Sequence, residues 1–323
     1  MLLEVSELAV DLMTPEGSRR VVDRTSFSIA DGESLGVVGE SGSGKTMTAL
    51  ALMALTPEGA RVSGSILFKG RELAGLSEEE MSQLRGDRIA MIFQEPMTAL
   101  NPLRRVGAQV AEPLMLHRRL SRREAQARAV GLLERVQLAE PERAARSYPF
   151  ELSGGERQRA MIAMAIGCTP RLIIADEPTT ALDVTVQARI LALIDGLRSE
   201  SGMAVLLVSH DLAVIAGHCD RVIVMYAGVI MESGPVEAVL RRPRNPYTLA
   251  LLEARPRPDA PRGARLKTIP GAPPAKHNNV GCPFAGRCVL TIGICQTAPP
   301  PEVAFGAGQV SRCHRAHEVG AAR

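Results

Sequence analysis

Apolar and polar residues alternate in short runs near the start of the chain. Residues 8–12 and 25–29 show this alternation, and the turn-rich segment 14–18 between them predicts a pair of antiparallel strands. Continuous apolar runs predict strands buried in a parallel sheet, at residues 34–38, 89–93, 172–175 and 205–208. Helical periodicity lies between these runs, at residues 47–55, 106–116, 122–136 and 188–197. The alternation predicts an α/β core with an N-terminal antiparallel β subdomain.

The same pattern divides the chain into three segments. Residues 1–240 carry the α/β pattern, with a helical insert at about 95–170. Residues 241–275 are rich in Pro and Arg, with eight basic and two acidic residues from Arg241 to Lys267, and we interpret them as a solvated linker. A contact of this linker with anionic lipid or an acidic partner is the alternative. Residues 276–323 form a small C-terminal module that contains cysteines.

Composition narrows the class of protein. The net charge is only +3, aromatic residues make up 3% of the chain and Trp is absent, so nothing predicts a nucleic-acid partner. No run of about 18 apolar residues predicts a membrane span, and the first residues lack the pattern of a signal peptide. We therefore expect a cytosolic protein, which would serve a membrane only from its inner face through partner chains.

A glycine-rich loop follows the strand at 34–38 and precedes a predicted helix. Its sequence has the form G-x-x-x-x-G-K-T and consists of Gly39, Glu40, Ser41, Gly42, Ser43, Gly44, Lys45 and Thr46. Glycines let the backbone fold around an anion, so that successive N–H groups point at phosphates. We expect Lys45 to reach the β- and γ-phosphates of a nucleotide and the hydroxyl of Thr46 to bind Mg²⁺.

Two acids end the apolar strand at 172–175. The carboxyl ends of parallel strands line the ligand crevice of an α/β sheet, so Asp176 and Glu177 are expected beside the phosphates. We predict that Asp176 holds Mg²⁺, directly or through water. Glu177 is predicted to be the general base that polarises the attacking water.

A second candidate phosphate site lies at the start of a predicted helix. Ser153, Gly154 and Gly155 stand within Leu-Ser-Gly-Gly-Glu, where a hydroxyl and backbone N–H groups could hold a γ-phosphate at a positive helix end. This string resembles the signature motif of ATP-binding cassette (ABC) proteins. The resemblance implies a P-loop ABC ATPase core with a helical insert that bears the signature. It also implies a partner ATPase, since two such domains pack head to tail around ATP.

Three further residues match the ABC pattern in order. Gln94 matches the Q-loop glutamine, which contacts Mg²⁺ and the attacking water, and Asp183 matches the D-loop that crosses to the opposite site. His210 matches the switch histidine that contacts the γ-phosphate. One departure concerns the base, because residues 10–24 contain no aromatic residue to stack on adenine. Arg19 or Arg20 is a candidate to stack as a cation instead.

Strings in the tail and core narrow the subfamily. Residues 245–249, 269–274 and 281–284, together with 94–102 in the core, resemble the ATPases of dipeptide and oligopeptide (peptide/nickel-type) ABC importers. The resemblance implies import of di- or oligopeptides from a peripheral position on the cytoplasmic face of the membrane. The implied partners are two transmembrane permease subunits, an extracytoplasmic substrate-binding protein and a second ABC ATPase, which we expect to be a related but different chain.

Other functions stay open at this stage. The same transporter type could carry nickel, glutathione, an opine or an oligosaccharide, since cargo is chosen by the binding protein and permease. A soluble ABC ATPase that acts on ribosomes or DNA is the second alternative. Such proteins usually carry two cassettes or a long coiled coil, whereas only about 107 residues separate Lys45 from Ser153 here.

The tail contains four cysteines with the spacing C-x5-C-x6-C-x17-C, at Cys282, Cys288, Cys295 and Cys313. Zinc modules prefer tight C-x2-C pairs, which are absent, and four thiolates suit a [4Fe–4S] cluster as well as zinc. The resemblance to peptide-importer ATPases favours the iron–sulfur cluster. Zinc, or no metal at all, remains an alternative, with His314 as a further candidate ligand.

Overall fold

The computed structural model describes residues 1–15, 17–180, 182–255, 268–274 and 280–319. The strands are β1 (Leu3–Thr14), β2 (Gly17–Ile29), β3 (Ser34–Val38), β4 (Arg61–Phe68), β5 (Arg71–Glu72), β6 (Ile89–Ile92), β7 (Leu172–Asp176), β8 (Ala204–Ser209), β9 (Arg221–Tyr226), β10 (Val229–Pro235), β11 (Glu302–Ala304) and β12 (Val310–Arg312). The α-helices are α1 (Lys45–Leu52), α2 (Glu78–Leu84), α3 (Pro96–Ala99), α4 (Val106–Arg118), α5 (Arg122–Arg135), α6 (Pro141–Arg146), α7 (Gly154–Ile166), α8 (Val184–Ser201), α9 (Leu212–His218), α10 (Val236–Arg241), α11 (Pro246–Glu253) and α12 (Ile294–Thr297).

The chain divides into two compact units, each assembled from separate stretches of sequence. The first unit comprises Met1–Leu2, Ile29–Ser34 and Gly75–Val208. The second unit comprises Leu3–Ser28, Leu35–Ala74 and Ser209–Arg323.

The first unit contains the parallel strands β6, β7 and β8. Ile89 pairs with Leu172, and Ile173 pairs with Val205, in the registers of the two parallel ladders. All residues of the three strands are buried, as the continuous apolar runs predict. Because β7 is buried and paired on both sides, its position in the sheet is fixed. Asp176, its last residue, therefore has a defined position at the end of the strand.

The helices α4, α5, α6 and α7 form the helical insert of the first unit. A capping box starts α5, in which Ser121 accepts from the backbone N–H of Glu124 and its own N–H donates to the Glu124 carboxylate. The helix buries Ala125, Ala129 and Leu133, spaced by one turn. The two alanines let neighbouring helices approach closely, and α5 in turn packs against the signature-bearing α7.

The second unit contains two sheets. The antiparallel sheet has the strand order β2-β1-β4-β5, which confirms the N-terminal β subdomain. The other part has the order β11-β12-β10-β9-β3, in which β3 pairs in parallel with β9 and the remaining pairs are antiparallel. The tail of the chain therefore extends the sheet that carries β3 and the glycine-rich loop.

The start of the Pro- and Arg-rich segment is more ordered than its composition suggests. Residues of this segment form α11, and Asn245, Tyr247 and Thr248 are fully buried. Residues 256–267 and 275–279, which hold much of the predicted linker and the start of the predicted C-terminal module, lie outside the described residues. In the part of the chain that the structure describes, no helix is long and apolar enough to cross a membrane.

Asn245 joins the tail to the sheet of the second unit. Its amide Nδ2 donates to the carbonyls of Met231 and Arg312, both at 3.0 Å, and its Oδ1 accepts from the backbone N–H of Tyr247 at 3.0 Å. The side chain thus connects β10, β12 and the first turn of α11. A buried amide that satisfies three backbone groups in this way cannot be removed without leaving them unpaired.

We expect Asn245→Ala to lower the free energy of unfolding by about 1–3 kcal/mol, because the two carbonyls and the N–H lose their buried partner. Urea denaturation of the full chain measures this change. Gln296→Ala, at an exposed position of the same tail, is the control and should leave the midpoint unchanged. A midpoint for Asn245→Ala equal to that of the control would contradict the structural role of this amide.

Candidate functional site

The glycine-rich loop runs from β3 to α1, as the sequence predicts. Gly44 has a φ of 99° and stands immediately before α1, where no side chain caps the first N–H groups of the helix. Uncapped N–H groups at a helix start carry partial positive charge and bind anions. The loop therefore presents backbone donors where the sequence predicts phosphates.

Neighbouring backbone presses against two glycines of this loop. A Cβ at Gly39 would lie 2.1 Å from the carbonyl oxygen of Met225, and one at Gly44 would lie 2.8 Å from that of Val21. Both distances are shorter than any ordinary contact, and Gly44 also has a left-handed φ. Glycine is required at both positions because strands β2 and β9 support the loop from below.

Lys45 and Ser43 are the buried polar side chains of the loop. Lys45 is 5% exposed, and its Nζ donates to the carbonyls of Gly39 at 2.8 Å and Glu40 at 3.0 Å. The Oγ of Ser43 is buried and finds no hydrogen-bond partner among the described residues. A buried ammonium and, two residues before it, a buried hydroxyl without a partner in the described part of the chain fit a loop that binds an anion. Thr46 is exposed at the first turn of α1.

Two residues of the tail contact the loop, and sequence reasoning missed both. The hydroxyl of Tyr247 accepts from the backbone N–H of Glu40 at 2.9 Å, and the guanidinium of Arg287 forms an ion pair with the Glu40 carboxylate. These pairs are separated by 207 and 247 positions in sequence. No local pattern could reveal contacts at such a separation.

Glu177 is held in a specific orientation in the first unit. Its backbone has a φ of 45°, which is rare for a residue other than glycine and marks local strain. Its Oε2 accepts from the hydroxyl of Thr180 at 2.8 Å and from Nε2 of Gln94 at 3.4 Å. Asp176 precedes it at the end of β7 and is 2% exposed. The structure thus brings together Gln94 and Glu177, the glutamine and the general base that the sequence predicts.

The signature residues begin α7. Ser153 caps this helix, since its Oγ accepts from the N–H of Glu156 at 3.3 Å while its own N–H donates to the Glu156 carboxylate at 2.8 Å. These hydrogen bonds lower the pKa of Glu156 below its ordinary value. Gly154 and Gly155 form the first turn, and a Cβ at Gly155 would lie 3.0 Å from the Val186 side chain. A capped helix start with two glycines leaves its N–H groups accessible to a ligand.

Asp183 and His210 lie at the ends of secondary-structure elements. Asp183 caps α8, where its carboxylate accepts from the N–H of Val186 at 3.0 Å. Ala181, which precedes it in the predicted D-loop, lies outside the described residues. His210 is exposed directly after β8. His210 belongs to the second unit with the loop, whereas Asp183, Glu177, Gln94 and the signature residues belong to the first.

Arg20, one candidate to stack on adenine, is engaged by two carboxylates. Its Nε and Nη2 donate to Asp11, each at 3.0 Å, and its Nη1 donates to Asp23 at 3.0 Å. These bonds fix the guanidinium plane at the β1–β2 hairpin. Adenine stacking on Arg19 or Arg20 stays a prediction.

The four tail cysteines line one small cavity of about 20 Å³, with Phe284 and Met231 beside them. Burial raises the pKa of the Cys282 thiol to about 11, and it also raises the pKa values of Cys288 and Cys313. Nevertheless, no three His, Cys, Asp or Glu side chains among the described residues are grouped closely enough to hold a metal ion. The predicted [4Fe–4S] cluster, and zinc as its alternative, are therefore not supported by this arrangement. His314 instead places Nε2 3.1 Å from the carbonyl of Ala298.

Known proteins resemble this chain over most of its length. Residues 22–180 match the family described as ABC transporter, and residues 231–295 match the oligopeptide/dipeptide transporter C-terminal region. The chain is 49% identical to the oligopeptide transport ATP-binding protein OppD of Salmonella typhimurium, over 98% of this chain and 94% of that protein. It is 48% identical to a probable peptide ABC transporter ATP-binding protein, y4tR, of Sinorhizobium fredii, over 99% and 96% of the two chains.

A solved structure shares the fold. The dimeric ATP-binding cassette MJ0796, in a post-hydrolysis state bound to ADP and Pi, matches with a TM-score of 0.66 and 28% sequence identity. The match covers 72% of this chain and 98% of that one. The P-loop ABC ATPase fold with its helical insert is thereby confirmed.

We predict that Gly39→Ala lowers the affinity for Mg-ATP by at least about tenfold, because the added Cβ displaces the loop from the Met225 carbonyl. Isothermal titration of the full chain with Mg-ATP measures the change. Gly196→Ala is the matched control, since a Cβ there meets nothing within 4 Å and α8 accommodates alanine. An unchanged affinity in Gly39→Ala would show that the loop backbone does not form the binding surface.

Proposed function

The chain belongs to the family of ABC-transporter ATP-binding subunits that includes the oligopeptide transport ATP-binding proteins, and we propose that it hydrolyses ATP to energise oligopeptide import. The match of residues 231–295 to the oligopeptide/dipeptide transporter C-terminal region supports this cargo. These similarities favour oligopeptides over nickel, glutathione, an opine or an oligosaccharide as cargo, and over a soluble ATPase that acts on ribosomes or DNA. The protein is accordingly placed on the cytoplasmic face of the membrane, as a peripheral subunit.

The geometry of Glu177 carries the proposed hydrolysis. Thr180 and Gln94 hold its carboxylate from two sides, so one oxygen is oriented while the group remains able to accept a proton from water. The left-handed backbone of Glu177 costs conformational free energy, and such strained residues are common at functional sites. We therefore assign Glu177 as the general base and Gln94 as the residue that positions the attacking water.

The remaining site residues bind the triphosphate. Lys45 would exchange its bonds to the Gly39 and Glu40 carbonyls for bonds to the phosphates, and the N–H groups from Ser41 to Thr46 would cradle them. Mg²⁺, held by Thr46, Asp176 and Gln94, would neutralise charge on the phosphate oxygens. His210 is assigned to the γ-phosphate. Ser153, Gly154, Gly155 and Asp183 are assigned to the site of the opposite ATPase.

The chain contains two separate segments that are suited to bind phosphate, and this supports a second ATPase subunit. The loop at residues 39–46 and the capped start of α7 are both suited to anions, and the family arrangement brings each to a different ATP. We propose a partner that is a related but different chain. An extracytoplasmic substrate-binding protein would deliver the peptide.

The helical insert of the first unit offers a surface for a permease. A groove of about 560 Å³ is lined by Leu103, Arg105, Arg122, Arg146 and Tyr148, and Leu103 is 84% exposed. A groove that combines exposed apolar and aromatic side chains with several arginines suits a short partner helix. We propose that the two transmembrane permease subunits dock here, one on each ATPase subunit.

Removal of the proposed base tests the function directly. Glu177→Gln keeps the hydrogen-bonding shape but cannot accept a proton, so we expect ATP binding to persist and turnover to fall by about 100-fold or more. Single-turnover hydrolysis in the purified transporter complex measures this. Glu134→Gln, an exposed glutamate on α5, should behave as wild type. Normal turnover in Glu177→Gln would refute the assignment.

We retain the [4Fe–4S] cluster as a proposal for the C-terminal cysteines. The proposal rests on the resemblance of the tail to peptide-importer ATPases and on the four cysteines, Cys282, Cys288, Cys295 and Cys313, which line one cavity. The described side chains are not grouped closely enough to hold an ion in this arrangement, so the cysteines would have to move together to bind it. If bound, the cluster would serve as a structural or redox-sensing group, apart from hydrolysis. Zinc is the alternative occupant.

Anaerobic purification of the full chain tests whether the four cysteines bind an iron–sulfur cluster. We expect brown protein with about four irons per chain, and loss of that iron in Cys288→Ser. Cys219→Ser, which changes a cysteine outside the cavity, is the control and should retain the iron. Colourless protein that carries zinc or no metal would contradict the proposal.

A further inference from the structure

An ion pair connects the cysteine-bearing tail to the phosphate loop. Arg287 Nη1 lies 2.5 Å from one carboxylate oxygen of Glu40, and Nη2 lies 3.0 Å from the other. The side chain of Arg287 is 7% exposed and that of Glu40 is 25% exposed. A two-pronged guanidinium–carboxylate contact with this little exposure is the strong form of an ion pair.

Arg287 is itself fixed by further contacts. Its Nε donates to the carbonyl of Pro270 at 2.8 Å, and its Nη1 donates to the hydroxyl of Tyr226 at 3.2 Å. The guanidinium carbon lies 5.7 Å from the centre of the Tyr226 ring and 6.0 Å from that of Phe284. The bond to Glu40 raises the pKa of Arg287 further above its usual range, so the charge is permanent. The guanidinium group of Arg287 is therefore held in place before any nucleotide binds.

Tyr247 makes a second contact with the same loop residue. Its hydroxyl accepts from the Glu40 N–H at 2.9 Å, and its ring is fully buried against Tyr226 and Phe284, with ring centres 4.7 and 5.2 Å away. Burial raises the pKa of Tyr247, so the hydroxyl stays neutral. The tail thus holds both the main chain and the side chain of Glu40.

The contact matters for phosphate binding because of where Glu40 lies. Its carbonyl accepts a hydrogen bond from Lys45, and its carboxylate adds negative charge to a loop that must receive a triphosphate. Without a counter-charge, this carboxylate would repel the phosphates across a partly buried site, where charges are screened less than in water. Arg287 supplies that counter-charge from a distant part of the chain.

We propose that Arg287 is a positioning residue of the ATP site, which neutralises Glu40 and, with Tyr247, fixes the first turn of the phosphate loop. The segment that holds Cys282 and Cys288 is then part of the nucleotide site, since Phe284 and Arg287 lie between these cysteines. The inference rests on the proposed function only in that ATP is the ligand of the loop. Nucleotide affinity would therefore depend on the integrity of the tail.

A double-mutant cycle at Arg287 and Glu40 tests this inference. The full chain is titrated with Mg-ATP as wild type, Arg287→Met, Glu40→Gln and the double variant, and KM and kcat are measured in the transporter complex. Arg287→Met should weaken ATP binding by about tenfold, with KM rising more than kcat falls. The double variant should bind ATP at least about fivefold more tightly than Arg287→Met, because the uncompensated carboxylate is gone.

Arg312→Met is the matched control. Arg312 also pairs with a carboxylate in the same tail, since its Nε and Nη2 donate to one oxygen of Glu302 at 2.9 and 2.7 Å. Its ATP affinity should equal that of wild type. Thermal unfolding without nucleotide shows whether each variant is folded. If Arg287→Met does not fold, Arg287→Lys replaces it, since lysine keeps the charge but cannot serve both carboxylate oxygens, and an intermediate affinity is expected.

Two results would overturn the proposal. ATP affinity within about twofold of wild type in Arg287→Met, or in Arg287→Lys if that variant replaces it, would show that the pair does not act on the loop. A double variant as weak as Arg287→Met would show that the loss is structural and not the effect of an unpaired Glu40. Failure of the proposed function is distinct, because then wild type itself would not bind or hydrolyse ATP.

Discussion

The close packing of backbone beneath the glycine-rich loop is the constraint on which the rest of the second unit depends. Gly39 lies so near the Met225 carbonyl that no side chain fits, and the N–H of Gly228 donates to the Ser43 carbonyl at 2.9 Å. The conformation of the loop therefore depends on β9 and on the turn that follows it. In return, its N–H groups are oriented before a phosphate arrives, which removes the cost of ordering them on binding.

Glu177 in the first unit is likewise oriented before any ligand binds. The parallel strand β7 fixes the position of Asp176. The next residue, Glu177, has a left-handed backbone conformation, and its carboxylate faces Gln94 and Thr180. The strain is maintained by the Val208 carbonyl, which accepts from the Glu177 N–H at 3.0 Å. Within each unit, the groups proposed to act on the nucleotide are thus held in place before any ligand binds.

Much of the fold was predictable because its signals are local. Continuous apolar runs such as 172–175 can be accommodated only in a buried strand, and the loop at 39–46 has a spacing that few structures other than a phosphate site require. Helix ends were less predictable: the periodicity at residues 47–55 corresponds to α1, which begins at Lys45 and ends at Leu52. Strands β11 and β12 have 3 residues each, too few for any periodicity to show.

Long-range contacts account for what the sequence could not reveal. The burial of Tyr247 within a segment rich in Pro and Arg depends on Tyr226 and Phe284, which lie far away in the chain. The pairing of Arg287 with Glu40 has no local signature, because a loop glutamate and a tail arginine are both ordinary exposed residues in isolation. The spacing of the four cysteines suggested a metal, yet only the fold could show that they share a cavity.

The coupling of ATP hydrolysis to peptide import is the central claim, and uptake by a reconstituted transporter tests it most directly. The complex of this chain with its permease and ATPase partners is placed in vesicles with the nucleotide sites outside, and peptide-loaded binding protein is enclosed within. We expect hydrolysis of external ATP to rise when the peptide-loaded binding protein is present, and labelled peptide to leave the lumen only while ATP is hydrolysed. ATP hydrolysis without any movement of peptide would contradict the account.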